Sequence, residues 1–545
     1  MKTVTRHAEV RILDAGIRTV LVVLALGLSL HAAPTLNCGA ALGTQFNLEP
    51  ATNAVPQQFE AVDFLPNRIA LNQDLIVAGA FDSRGVQFSS GNSSSPQWDG
   101  SVSGYYVRRA PGANCAPQFE GGLPAIAAAG NSFTGNGGVQ IAADPVRDVF
   151  FVADLRYSSS ASLSAIGLFR ESSATLLNPT LCPAGTHTAA QAASCWTATA
   201  PAILDQVSTG GINNALDFPS IAVDERPTGA GTGAGDVYVA VQSFAAGIDL
   251  LACTNSTLSC SAPIIINESS EPVATLGTQN AQVQVRSDGK ITVTYLDQTT
   301  VPTDTIKFVM CTPSGAPKPP VCSAPTVVAT EGQAIGPPLT NQSLSGLNML
   351  VFTSSRHTNR LESDGKTVTT FVVWDRCKTS FNFFQTPPGL YATCLDADVL
   401  MSTSTDGGNT WSPATAVNAD PGHQFLPWIS TDDSTGTVNI VYYDTETDPF
   451  RKRLLVALNQ IAPGSTKVGA PLKLTNVAAP WDADPNQTAL ALDFFDFHLG
   501  MKARGMGTSG HSRVYVSFTS TGDRSGTYKG QQLPEQNNNL QLLLY

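Results

Sequence analysis

Apolar residues come in short dense runs rather than in helical stripes. Seven such runs stand at Leu75 to Phe81, Val149 to Leu155, Val237 to Phe244, Ile291 to Leu296, Val368 to Trp374, Val438 to Tyr443 and Val514 to Thr519. Each has the length of a buried strand and is too short for a core helix. Ahead of several lies a weaker stretch of the form apolar-Pro-x-apolar-x-apolar-Asp/Asn. Phe218 to Asp224 and Leu426 to Asp432 are copies, Leu65 to Asn72 is a one-residue-longer variant, and Gly138 to Asp144 and Ala281 to Val285 are looser ones. Two further strand-like segments follow each run and suit an outer hairpin. No segment sustains a 3.6-residue period, so the chain is expected to be all-β.

Repetition of a four-strand unit predicts a closed β-propeller. Seven units predict seven blades, with a six-bladed ring as the competing count. Residues 34–545 are expected to form one domain, with blades near 59–110, 136–205, 215–268, 279–330, 347–418, 424–476 and 490–545. The last unit runs out after a third strand at Leu540 to Tyr545. Thr44 to Glu49 is therefore expected to supply its fourth strand, which would close the ring and hide two sheet edges.

One turn in this pattern is distinctive. In the unit beginning near Leu347 it reads Ser404-Thr405-Asp406-Gly407-Gly408-Asn409-Thr410-Trp411. Gly407 and Gly408 permit positive φ. Asp406 can accept backbone N–H groups within the turn, and the Trp411 ring can fold over the hairpin. The stretch resembles the Asp-box of the sialidase-like (BNR-repeat) β-propellers. The resemblance implies a structural clamp on an outer hairpin, formed by Ser404, Asp406, Gly408 and Trp411, away from the axis. Two other units carry a cysteine pair at this turn, Cys253 with Cys260 and Cys311 with Cys322, and Cys182 with Cys195 stands similarly. Local disulfides are expected to replace the clamp there.

Composition places the chain outside the cytosol. Charged residues make up 14%, against roughly 25% in ordinary globular proteins, and the net charge is −12 without any basic block. Nucleic acid is excluded as a partner on that ground. Lys2, Arg6, Arg11 and Arg18 precede an apolar run from Val20 to Leu30, followed by Ala32 and Ala33. Residues 1–33 thus read as a secretory signal. A retained anchor is the other reading, disfavoured because the run is short for a bilayer. A secreted or periplasmic, monomeric protein with no membrane contact after cleavage is expected. The ten cysteines then read as disulfides: the three pairs above, Cys377 with Cys394, and the remaining Cys38 and Cys115. Zinc is disfavoured because no C-x2-C spacing occurs.

Candidate chemistry lies at the ends of the second strands, where several acidic residues have an arginine close by: Asp82 with Arg84, Asp154 with Arg156, Asp297, Asp375 with Arg376, and Asp444. They read either as a ring of charged groups around an axial pocket or as turn caps paired locally. The sialidase-like resemblance implies an arginine cluster for a substrate carboxylate and an acidic catalytic group. Asn67-Arg68-Ile69-Ala70 keeps the Arg-Ile of the family's first arginine motif. Asp82, Asp375 and Asp444 are accordingly the catalytic candidates, and Arg68, Arg84, Arg156 and Arg376 the substrate-binding ones. Arg286, Arg356 and Arg513 are further arginines. Tyr442 and Tyr443 are nucleophiles by type but sit in a packed strand pattern. His357, His423 and His498 stand near the starts of successive units, as an axial metal ring or as structural histidines. Asp482-Ala483-Asp484-Pro485-Asn486 could offer oxygens to Ca²⁺ or form an ordinary turn. No other cofactor is implied. Trp98, Tyr105, Tyr106 and Trp428 could stack on a sugar or fill gaps between blades. No G-x-S-x-G, H-E-x-x-H or P-loop is present. The expectation is a secreted sialidase-like propeller recognising extracellular carbohydrate at an axial pocket, and hydrolysing it if it is an enzyme; a non-catalytic glycan- or protein-binding propeller is the alternative.

Overall fold

A computed structural model of the chain describes residues 35–36, 57–66, 74–82, 102–109, 118–128, 130–135, 137–158, 163–198, 216–243, 247–267, 278–300, 303–331, 342–344, 354–378, 382–386, 389–451, 453–475, 481–482, 499–505, 512–520, 525–528, 531–534 and 537–544. The molecule is all-β with a propeller arrangement. Six blades follow one another, each built on antiparallel strands in chain order. Their inner strands are Gln57–Leu65, Gln140–Asp144, Leu216–Val223, Thr278–Val285, Ser355–Leu361 and Gln424–Asp432. Their second strands are Leu75–Asp82, Val149–Ser158, Val237–Ser243, Ile291–Thr300, Val368–Cys377 and Thr437–Asp444. These coincide with the apolar runs. The runs are continuous because neighbouring blades cover both faces, and every residue of Val237–Ser243 is buried.

A further sheet is composite. Gly500–Gly505, Ser512–Ser520 and Asn537–Leu544 are joined by Thr35–Leu36, which pairs antiparallel with Leu544 and Leu543. Its inner strand Gly500–Gly505 touches the inner strands of both the first and the sixth blade. An N-terminal strand thus completes the last sheet. The expected segment, Thr44 to Glu49, lies outside the described residues, and Thr35–Leu36 takes the place foreseen for it. Two residues suffice because only the Leu543–Leu544 end of the neighbouring strand is paired.

Among the described residues two short helices escape the all-β expectation, Ser173–Leu176 and Ala189–Cys195. Neither is long enough to show a period. The second is fixed by a capping box, in which Thr188 and Gln191 satisfy each other's backbone N–H. Among the described residues four disulfides form: Cys182–Cys195, Cys253–Cys260, Cys311–Cys322 and Cys377–Cys394. Cys253–Cys260 and Cys311–Cys322 cross outer hairpins as foreseen. Cys38 and Cys115 lie outside the described residues. Disulfides fit an oxidising, extracellular setting. Among the described residues no helix is long and apolar enough to cross a membrane.

Four of the six inner strands share a bulge. Register shifts fall at Gln58/Ala61, Asp217/Ser220, Gln279/Gln282 and Phe425/Trp428. Phe218, Asn280 and Leu426, at three of these, have φ of 45°, 53° and 50°. Beyond the bulge, alternate side chains face the axis. Several also tie one blade to the next. The Ser220 hydroxyl accepts the Val283 N–H at 3.1 Å, and the Gln282 side chain accepts the His357 N–H. Two residues further along each strand, Asp63 accepts from Ala143, Thr358 from Thr431 and Ser430 from Ala503, at 2.9, 3.1 and 3.0 Å. Inner strands lie too far apart for a backbone ladder, and these side chains replace it.

Candidate functional site: the axial cavity

The bulged inner strands surround a cavity of about 400 Å³ on the axis, within the roughly 300–1,000 Å³ of small-molecule sites. Its side chains form tiers. Gln140, Ser220, Gln282, Arg356 and Trp428 line one level; Asp63, Gln284, Thr358, Ser430 and Lys502 line the next; Glu225, Arg286 and Asp433 stand where the strands end. The Arg356 guanidinium lies over the Trp428 ring, 5.0 Å from its centroid. Trp428 is half-buried and also packs on the sixth-blade core. Gln282 is 3% exposed, and its Nε2 has no partner.

Where the strands end there is a charge network. Arg504 donates to Asp63 at 2.9 Å and to Glu225 at 2.6 Å, joining the composite sheet to the first and third blades. Lys502 Nζ lies 3.9 Å from Asp63 and 3.8 Å from Glu225. Burial alone would raise the Glu225 carboxyl, but Arg504 and Lys502 outweigh it and hold it below the usual range. Asp433 is different. It is exposed at the cavity, and the surrounding protein, then the nearby Glu225 charge, push its carboxyl up to about 6 against the pull of Lys502 and Arg504.

The second-strand acids lie elsewhere. Asp375 is buried; its two oxygens accept the N–H of Ser354 and Leu426, each at 3.0 Å, so it clamps the bulge of the following blade. Burial pushes it up to about 6. Asp444 is fully buried and accepts from Glu446 N–H at 2.8 Å and from Gln424, while pairing with Lys473. Asp154 and Arg156 are both fully buried and paired with each other at 2.6 Å, and Arg156 also donates to the Pro124 carbonyl. Asp297 faces Lys307 at 3.7 Å. Arg376 pairs with Glu331 at 3.3 Å. None of these lines the axial cavity. The side chain of Asp82, and all of Arg68, Arg84, Trp98 and His498, lie outside what is described, as do the side chain of Asp482 and residues 483–486.

The remaining candidates are packed groups. Both ring nitrogens of His357 meet threonine hydroxyls, Thr292 at 2.8 Å and Thr294 at 2.9 Å, and burial keeps the ring neutral, down to about 3. His423 is buried and its Nδ1 accepts the Ala397 N–H at 3.2 Å. The Tyr442 hydroxyl donates to Asn459, and Tyr443 stacks on Phe425. Tyr105 packs among Phe119, His187 and Trp196, and Tyr106 is buried. Sequence reasoning singled out Trp428 and Arg356 but passed over Gln140, Gln282, Ser430, Glu225 and Asp433. Their signal was available: polar residues alternate within the apolar first-strand repeat, and acidic doublets end it at Asp224-Glu225 and Asp432-Asp433.

No family model matches the sequence, and a search of curated proteins finds no match. Similar solved structures include an α-L-arabinofuranosidase from Fusarium graminearum, at 9% identity over 78% of this chain and 98% of that one, with TM-score 0.41. The Hadza microbial sialidase Hz136 is 10% identical over 89% of this chain and 92% of its own, with TM-score 0.37. A lectin from Aleuria aurantia, bound to α-methyl-L-fucoside, is 11% identical over 74% and 94%, with TM-score 0.32.

Proposed function

We propose that the chain is a secreted, sialidase-like β-propeller that recognises carbohydrate in its axial cavity. The observation that carries this reading is the cavity lining. One indole, Trp428, with the Arg356 guanidinium over its ring, stands among hydrogen-bonding side chains that include Gln140, Ser220, Gln282, Thr358 and Ser430. A pyranose has an apolar C–H face for an aromatic ring and a rim of hydroxyls for amides and alcohols. Buried hydrogen-bonding groups then reject ligands that leave them unpaired. Screening against a glycan array followed by titration calorimetry tests this. Trp428→Ala is expected to weaken binding at least about tenfold; unchanged affinity would remove the cavity as the site.

A second reading is hydrolysis of the bound glycan, for which Asp433 and Glu225, two carboxyls lining the cavity where the strands end, are the candidates. Product release from a bound glycan, abolished in Asp433→Asn, would support it. Asp375 and Asp444 act as scaffold in both readings. We take the composite sheet as a seventh blade, since its inner strand bridges the first and sixth. The hairpin at Ser404 to Trp411 serves as the Asp-box, and residues 1–33 as the export signal, consistent with the four disulfides.

A further inference from the structure

We propose that Asp375 is a positioning residue of the axial site: it sets the Arg356–Trp428 stack that a saccharide meets, without touching the saccharide itself; this rests on the carbohydrate reading above. Arg356 and Trp428 line the cavity from the inner strands of the fifth and sixth blades, and the guanidinium lies 5.0 Å from the centroid of the indole. Asp375 does not line the cavity and is 1% exposed. One of its oxygens accepts the Ser354 N–H and the other the Leu426 N–H, each at 3.0 Å. Ser354 stands two residues before Arg356, and Leu426 two residues before Trp428. A single carboxylate thus holds the backbone just ahead of both partners of the stack. Because the two N–H groups come from different blades, a shift of either strand is passed to the other.

The bulge gives this hold its leverage. Leu426 has φ of 50°, a left-handed conformation that a non-glycine residue adopts only at a cost. The register shift between Phe425 and Trp428 re-aims the side chains that follow. Another blade supplies the comparison. Phe218 takes the same place in the third blade, with φ of 45°, and its N–H is capped at 2.8 Å by Asp217, the residue before it. In the sixth blade that preceding residue is Phe425, whose side chain has no acceptor to offer. The cap there comes from the neighbouring blade and is shared with the strand that carries Arg356. Capping a bulge is therefore within reach of the bulged strand itself, whereas joining two cavity-lining strands needs a group placed between them. The Arg356 guanidinium also donates to the Ser355 carbonyl at 3.0 Å, which fixes it beside the residue that Asp375 holds.

Calorimetry with the saccharide that wild type binds most tightly on a glycan array, on wild type, Asp375→Asn, Trp428→Ala and the double variant, tests the proposal. In Asp375→Asn the side chain keeps its volume, but its new amide turns a donor toward one of the two backbone N–H groups and that tie is lost. Affinity is expected to fall about tenfold. Because Asp375 acts through the stack, the double variant should bind no more weakly than Trp428→Ala. Asp406→Ala, which loosens the outer hairpin of the same blade, should lose stability and keep its affinity. A second readout needs no saccharide. The chain has six tryptophans, so the emission of Trp428 is taken as the difference between a protein and its Trp428→Phe counterpart. That emission should shift in Asp375→Asn and stay unchanged in Asp406→Ala. Should Asp375→Asn fail to fold, Ser354→Pro removes one of the two donors just ahead of a strand, where proline is tolerated, and the same losses are expected of it. Wild-type affinity in the folded variant, an equal loss in the Trp428→Ala background, or an unshifted Trp428 emission overturns the positioning role and leaves the carbohydrate reading standing. Failure of every array saccharide to bind wild type overturns both.

Discussion

Asp375 illustrates how a carboxylate at a strand end is committed by its surroundings. Its oxygens hold two backbone N–H groups, one at the start of its own blade and one at the bulge of the next. Asp375→Ala leaves both N–H groups buried without an acceptor, and is expected to cost on the order of 2 kcal/mol or more in chemical denaturation. Burial raises its carboxyl from 3.8 to about 6. The folded state therefore binds the proton more tightly than the unfolded one. The stability this confers is complete below about pH 4 and disappears as pH rises through about 6. Relative to Asp375→Asn, which does not titrate, wild type should lose stability across that window. In the sequence, an acid at the end of an apolar strand is visible, but whether it turns to the axis or to the next blade is not. That choice is made by a bulge in a neighbouring strand some fifty residues away. Trp428 was visible as a rim aromatic for the opposite reason: its own bulged strand carries it to the axis.

At the scale of the element, the hairpin between Ala397–Ser404 and Thr415–Ala416 is held by its turn. Asp406 accepts from the backbone of Asn409 and Thr410, at 3.1 and 3.0 Å, and from the hydroxyls of Ser404 and Thr410. The Trp411 indole donates to the Gly408 carbonyl at 3.1 Å, and its ring meets Phe308 of the preceding blade edge-on. Gly408 has φ of 87°, and a Cβ there would stand 2.2 Å from Phe308. Gly408→Ala should thus lower the melting temperature. The Asp406 bonds, led by the Thr410 hydroxyl, hold its carboxyl down to about 2. That contribution is present above the unfolded value of 3.8 and is lost as pH falls toward 2. The melting-temperature gap between wild type and Asp406→Ala should close over that range. Local spacing made this turn and the disulfide hairpins readable, since all their partners lie within a few residues. Replacing Cys253 and Cys260 by serine together should cost on the order of 2 kcal/mol, the low end for a small loop.

At the scale of the molecule, the ring is closed by two long-range devices. The N-terminal Thr35–Leu36 completes the last sheet, and Arg504 ties that sheet to Asp63 and Glu225. Arg504→Met leaves Asp63 buried without its main partner and is expected to cost about 3–5 kcal/mol in equilibrium unfolding. The strand repeat, and an N-terminal strand that completes the last sheet, could be read from the periodicity of apolar runs. The exact segment could not, because a two-residue strand has no pattern of its own. The axial network was invisible for a related reason: Asp63, Glu225, Asp433 and Arg504 are scattered over the chain and meet only when the blades close. The central claim is that this closed axis recognises a sugar. Its most direct test is calorimetric titration of wild type and Trp428→Ala with a saccharide selected on a glycan array, both proteins having first been shown to melt alike. The account predicts saturable binding to wild type and at least an about tenfold loss in the variant; binding of equal strength to both, or none to wild type, would contradict it.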